Sequence, residues 1–264
     1  MNILVFDIET IPDLRLIRTL YDWQDLSDED TYTAITSKFL VDKGTSFLPL
    51  HLHQIVAISL VMNQDDQVKV WSLGTHESGE ADLIQRFYSG IERFTPTLVS
   101  WNGTGFDLPV LHYRALKHGI VAAQYWDAGD IRSEFKYNNY VNRYHQRHTD
   151  VMDILALFQG RATVKLDQMA VMLGFPGKMG MAGDKVYEAY AQGNLAGIRD
   201  YCETDVLNTY LVYLRFLHMK GQISPDGLAQ AEQVLQDMLF HESQQDRPHL
   251  GLFLDNWLGQ PDSI

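Results

Sequence analysis

The sequence predicts an α/β fold: a mixed sheet, its first three strands antiparallel and the later ones parallel, flanked by α-helices. Three observations carry this. Residues 3–8, 55–62 and 67–73 are strand-length runs, and the last two are joined by the polar NQDDQ, a turn of hairpin length. Residues 80–94 repeat apolar side chains at helical spacing and lead into the short strand 97–101, the strand–helix–strand order of a parallel crossover. A second, longer helical pattern at 195–220 supplies a partner for one face of such a sheet. The 264 residues fit one domain, 1–264, with helices at about 225–258 packed on its outside.

Taken in order, the chain opens on Ile3, Leu4, Val5, Phe6 and Ile8, an apolar strand interrupted by Asp7 and Glu9. Residues two apart on a strand share a face, roughly 6–7 Å from each other. Two carboxylates aimed the same way from a buried strand are costly unless protons, partners or cations compensate, and an oxygen-only pair suits Mg²⁺ or Mn²⁺. The bland alternative is a pair of solvent-facing acids on an edge strand. Pro12 ends the strand. Residues 13–23 follow with a helical face, Asp28 to Asp30 can open a short helix, and 40–53 read as loop. His51 and His53 in that loop read as structural, since no third soft ligand lies near.

Helix 80–94 puts Ala81, Ile84, Phe87, Tyr88 and Ile91 on one side, and Pro96 stops it. Strand 97–101 then runs into Asn102-Gly103-Thr104-Gly105-Phe106-Asp107, a tight loop at a strand's carboxyl end, where open α/β sheets place ligands. The next helix is expected over 109–118, with Pro109 as its first residue. Asp107 either caps that helix or is a third acid of a site. Residues 132–148 stand apart in composition: Arg132, Lys136, Arg143 and Arg147 against Glu134 alone, interleaved with Phe135, Tyr137, Tyr140 and Tyr144. They form either a grip for a single nucleic-acid strand or an aromatic hairpin packed on the domain. Asp150 and Asp153 read as helix N-terminal caps.

Residues 165–173 are helical, and the recurrent glycines of 174–183 read as a mobile loop with Lys178 and Lys185 able to approach a phosphate. In helix 195–220, Ile198, Cys202, Leu207, Leu211 and Leu214 line the buried side. Tyr201 and Asp205, four apart, share another face. Helical segments at 225–243 and 249–258 finish the chain.

Bulk properties narrow the class. With 34 acids against 21 bases the net charge is −13, which argues against a general nucleic-acid coat but not against an enzyme whose clustered acids hold cations. No stretch approaches the roughly 18 apolar residues of a membrane span, and the acidic start is not a signal peptide. A single cysteine excludes internal disulfides and thiolate zinc clusters. The expected setting is cytoplasmic.

FDIET, NGTGFD and YCETD, in this order and on these elements, resemble the three motifs of DEDDy-type 3′–5′ exonucleases. These belong to the ribonuclease H-like superfamily, and the resemblance is greatest to the predicted polymerase B-like 3′–5′ exonuclease family. LPLHLHQIVAIS and HTDVMD also look typical of it, so the resemblance covers most of the chain. It implies a ribonuclease H-like mixed sheet. It implies catalytic roles for Asp7, Glu9, Asp107, Tyr201 and Asp205, the four acids being the metal ligands. Two divalent cations, Mg²⁺ or Mn²⁺, are the implied cofactors, since paired cations neutralise a phosphodiester that otherwise repels hydroxide. Tyr201 would orient the attacking water rather than take its proton, its reference pKa being about 10. Thr10, Asn102 and Phe106 would contact the terminal nucleotide.

The implied activity is release of nucleoside 5′-monophosphates from a single-stranded 3′ end, with DNA the expected substrate and no membrane partner. Any proofreading would need a replication or repair partner. An exoribonuclease acting on RNA tails is the close alternative, and a non-catalytic ribonuclease H-like binding module the distant one.

Overall fold

The computed structural model describes residues 2–65 and 67–260. Five strands, β1 (Asn2–Pro12), β2 (His53–Gln64), β3 (Gln67–Ser72), β4 (Thr97–Ser100) and β5 (His148–Asp150), form one sheet in the order β3-β2-β1-β4-β5. The pairs β1–β2 and β2–β3 are antiparallel, while β1–β4 and β4–β5 are parallel. This is the expected mixed sheet. β1 is its central strand, so Asp7 and Glu9 do not sit on an edge. The β2–β3 turn includes Asp66, which lies outside the described residues.

Helices fill the connections. α1 (Leu14–Tyr21) and α2 (Asp28–Lys43) lie between β1 and β2, α3 (Glu80–Phe94) between β3 and β4. α4 (Asp107–His118) and α5 (Ala123–Trp126) precede β5, and α6 (Val151–Leu155) follows it directly. Then come α7 (Leu166–Met172), α8 (Val186–Ala191), α9 (Leu195–Met219), α10 (Pro225–Ser243) and α11 (Pro248–Leu258). Among the described residues no helix is long and apolar enough to cross a membrane.

Several expectations need correction. The short helix expected at Asp28 is the sixteen-residue α2, which takes in part of the expected loop. Ser27 caps it through the Asp30 N–H, three acids occupy its first turn, and Gly44 ends it in the left-handed conformation. α4 starts at Asp107, two residues before Pro109, because a proline is tolerated anywhere in a first turn whose N–H groups have no helical partner. Strand β5 was not anticipated, since three residues are too few to show a period. The glycine-rich loop is anchored at its start: Phe175 is buried, and Asn208 of α9 bonds both the N–H and the carbonyl of Gly177.

β1 organises the core by strict alternation. Leu4, Phe6 and Ile8 pack with Ile84, Phe87 and Leu111 of α3 and α4 on one face of the sheet. Ile3 and Val5 pack with Val206, Leu207 and Tyr210 of α9 on the other. On this second face the next two positions are Asp7 and Glu9, and Ile11 beyond them rejoins an apolar cluster with Ile198, Tyr201 and Cys202. An acid patch is thus enclosed by core. α9 is buried over most of its circumference because α10 and α11 cover its far side. The cover is locked by Glu203, which accepts from Ser72 at 2.8 Å, Arg247 at 2.5 Å and His249 at 2.8 Å.

Candidate active site

Four acids border one cleft of about 640 Å³ at the carboxyl end of the parallel strands: Asp7 and Glu9 from β1, Asp107 from the first turn of α4, and Asp205 from α9. Asp107 is 4% exposed and Glu9 7%, and Asp7 and Asp205 are partly buried. Asp107 does not cap α4. It is a helical residue whose Oδ1 accepts the N–H of Ile8 at 3.1 Å, tying α4 to the central strand between the two acids. A register shift at Glu9/Thr10, where Ile55 and Ala57 of β2 pair with successive residues of β1, bends the strands at this point. Bulges of this kind re-aim side chains next to sites.

The loop that delivers Asp107 is built tightly. Asn102 has a left-handed backbone, φ 63°. A Cβ on Gly103 would lie 2.3 Å from Ser100 Oγ, so only glycine fits. Asp150 holds the loop from below, accepting from the Asn102 N–H at 3.0 Å, the Thr104 N–H at 2.9 Å and the Thr104 hydroxyl at 2.7 Å. It also caps α6 through the Asp153 N–H, as its sequence position suggests. Its bracing of a loop 46–48 residues away leaves no local signal.

Concentrated charge dominates the electrostatics. Burial, then the neighbouring Asp107, Glu9 and Asp205, hold the Asp7 carboxyl well above the usual range. Burial and the same group of acids do so for Glu9. Burial pushes Asp107 up to about 7, with the Ile8 N–H opposing, and Asp205 up to about 6, with Tyr201 and Lys178 opposing. Among the described residues none of the four is in an ion pair; the Lys178 charge reaches Glu9 and Asp205 without one. Such a cluster fits positive charge as its counterpart.

The donor set suits hard divalent ions. Ligating atoms of Asp7, Glu9 and Cys202 lie within 4.8 Å of one another. Cys202 does not make this a soft site. Burial and the adjacent carboxylates push its thiol up, so it stays protonated and lies 3.5 Å from Asp7 Oδ2 as a donor. The sequence placed Cys202 on the buried side of α9 and gave no sign that this side touches Asp7.

Tyr201 hydrogen-bonds Asp205 one turn along α9, and burial with the nearby acids raises its phenol far above the ordinary value. It is a donor to Asp205 and no proton acceptor. Thr10, Asn102 and Phe106 line an adjoining pocket of about 590 Å³ that shares Glu9, Asn102 and Phe106 with the acid cleft. His53 also lines it, bonded to Thr10 Oγ1 at 2.8 Å and edge-on to Phe106. Its Nε2 bonds the Leu48 carbonyl at 3.2 Å.

Residues 45–257 match the profile of a family described as a predicted 3′–5′ exonuclease related to the exonuclease domain of PolB. Asp107, Tyr201 and Asp205 fall inside the match; Asp7 and Glu9 precede it. A DNA polymerase of Archaeoglobus fulgidus is 25% identical over 173 residues, which is 64% of this chain and 21% of that polymerase. The solved family B DNA polymerase of Pyrobaculum calidifontis superposes with a TM-score of 0.50 over 93% of this chain and 29% of the polymerase, at 17% identity. The chain thus spans less than a third of either relative, and the solved structure speaks for the fold.

Proposed function

Since the chain belongs to the family of predicted 3′–5′ exonucleases related to the exonuclease domain of PolB, we propose that it hydrolyses phosphodiester bonds from the 3′ end of single-stranded nucleic acid. Nucleoside 5′-monophosphates are the products. The observation that carries the reading is the convergence of Asp7, Glu9, Asp107 and Asp205 on one cleft with no paired counter-charge among the described residues. DNA is the favoured substrate because the relative and the solved neighbour are both DNA polymerases.

The four carboxylates would hold two divalent cations, Mg²⁺ or Mn²⁺. Bound there, such a pair supplies charge neutralisation at the scissile phosphate and stabilises both the attacking and the leaving oxygen. The chain's own residues do the rest. Tyr201, its proton committed to Asp205, offers phenolic lone pairs to the attacking water and fixes its direction. Phe106 presents a ring face to the terminal base, and Asn102 and Thr10 present polar groups to its sugar and phosphate from the pocket beside Glu9. Water adds to phosphorus and releases a proton to solvent, the bond from phosphorus to the 3′-oxygen of the penultimate nucleotide breaks, and that oxygen takes up a proton from solvent to leave as the new 3′-hydroxyl.

The test is digestion of single-stranded oligonucleotides of one sequence, as DNA and as RNA, in Mg²⁺ or Mn²⁺. The expected result is stepwise shortening from the 3′ end, insensitivity to a 5′ block, faster loss of DNA, and no turnover by Asp7→Ala. Undiminished turnover by Asp7→Ala refutes the reading.

A further inference from the structure

The segment 132–148 separates into two parts. Phe135 and Tyr140 are buried, with the Arg147 guanidinium 4.5 Å from the Phe135 ring centre. That half is an aromatic block packed on the domain. Arg143 and Tyr144 do the opposite. Tyr144 is 75% exposed and meets Phe158 edge to face at 5.6 Å, and the Arg143 guanidinium lies 4.4 Å from the Phe158 ring.

Phe158 is held out by strain. Leu157 and Phe158 have φ of 52° and 58°, a left-handed pair without glycine. Bulky side chains rarely adopt it, and such strain collects where it serves a site. The N–H groups of both bond back to α6, so the turn is fixed. From Phe158 the exposed chain runs past Arg161 to Thr163, Val164 and Lys165, which wall the acid cleft beside Met152. The other link is Asp153, whose Oδ2 accepts the Thr104 hydroxyl at 2.6 Å and lies 4.0 Å from Arg143. Of the three basic residues Lys165 lines the cleft itself, and Arg161 and the exposed cluster of Arg143, Tyr144 and Phe158 continue outward from it along the chain and through Asp153, in a protein of net charge −13.

We propose that this surface is the binding platform for the upstream nucleotides of a single strand whose 3′ end lies among the acids. Bases stack on Tyr144 and Phe158, and Arg143, Arg161 and Lys165 face the phosphates. Interleaved rings and cations are how proteins hold single strands without reading sequence. The inference rests on the nuclease reading for its polarity but not for its binding.

The experiment is fluorescence anisotropy of a labelled oligothymidylate of about twelve nucleotides, with the intact protein in EDTA so that nothing is cut. Expected for Tyr144→Ala and Phe158→Ala is a Kd raised roughly fivefold or more, as for loss of a stacked base. Arg143→Ala lowers the slope of log Kd against log salt by about 1. Melting curves check folding, and the highly exposed Tyr144 covers the case in which Phe158→Ala disturbs its turn. In Mg²⁺, the KM for the twelve-mer rises in the variants while kcat on a dinucleotide stays unchanged. Wild-type affinity in all three variants overturns the proposal and leaves the surface to a protein partner. Weakened binding by the variants of a protein that cuts nothing preserves the platform and removes the nuclease.

Discussion

At the scale of single residues, the site is four buried or half-buried acids that form no ion pair among the described residues. Burial is the largest cause that raises the proton affinity of all four acids; Asp107 and Asp205 add to it at Asp7 and Glu9, Asp150 adds to it at Asp107, and Asp167 at Asp205. Tyr201 has the reverse problem: its proton is too firmly held to leave, so in the proposed mechanism it contributes direction rather than basicity. Tyr201→Phe should therefore lower kcat by roughly 10–100-fold while leaving Mn²⁺ affinity unchanged. Calorimetry beside single-turnover rates checks this; a lost cation with the lost rate would assign the tyrosine to the metal site instead. The acids were legible in the sequence because Asp7 and Glu9 break an apolar strand and Asp205 sits one helical turn from Tyr201. The thiol of Cys202 beside Asp7 was not, because a small buried residue on an apolar helix face looks the same whatever it touches.

At the scale of elements, β1 and α9 do most of the positioning, and each was recognisable from its period. What escaped the sequence is the bracing between elements. Asp150 sits at the end of a three-residue strand and looks like a helix cap, yet it also satisfies two backbone N–H groups and a hydroxyl of the loop before Asp107. Asp150→Ala leaves these donors without an acceptor and should cost about 2–3 kcal/mol, read as a lower denaturation midpoint. The turnover of the remaining folded protein should show a raised KM, since Asn102 borders the pocket proposed for the terminal nucleotide. A stability change below about 0.5 kcal/mol would mean that the loop holds itself. Glu203 escaped for the same reason: an acid in YCETD reads as part of the motif, whereas its partners Ser72, Arg247 and His249 come from distant segments.

At the scale of the whole molecule, the fold carries an electrostatic load that the divalent ions of the proposed function would relieve. Asp107 and Asp205 have folded-state values of about 7 and about 6, above the ordinary 3.8. Between roughly pH 4 and 7 the native state thus holds more protons than the unfolded chain, and stability falls as pH rises. In EDTA the melting temperature should drop by roughly 5 °C or more from about pH 5 to about pH 7.5. Mn²⁺ should restore it at the higher pH and do little at the lower one; a flat profile would mean that the acids are already compensated within the protein. The overall architecture was readable because hydrophobic alternation and crossover order determine a mixed sheet. The outer helices α5 and α8 were not, since they run to four and six residues, fewer than two turns, and their shape comes from what they pack on. All of this depends on four carboxylates acting as one cation cage, and titration calorimetry of the metal-free protein with Mn²⁺ at about pH 7.5 tests that most directly. The account predicts two ions per chain, with binding abolished or weakened at least tenfold in Asp7→Asn; no binding, or equal binding by Asp7→Asn, would contradict it.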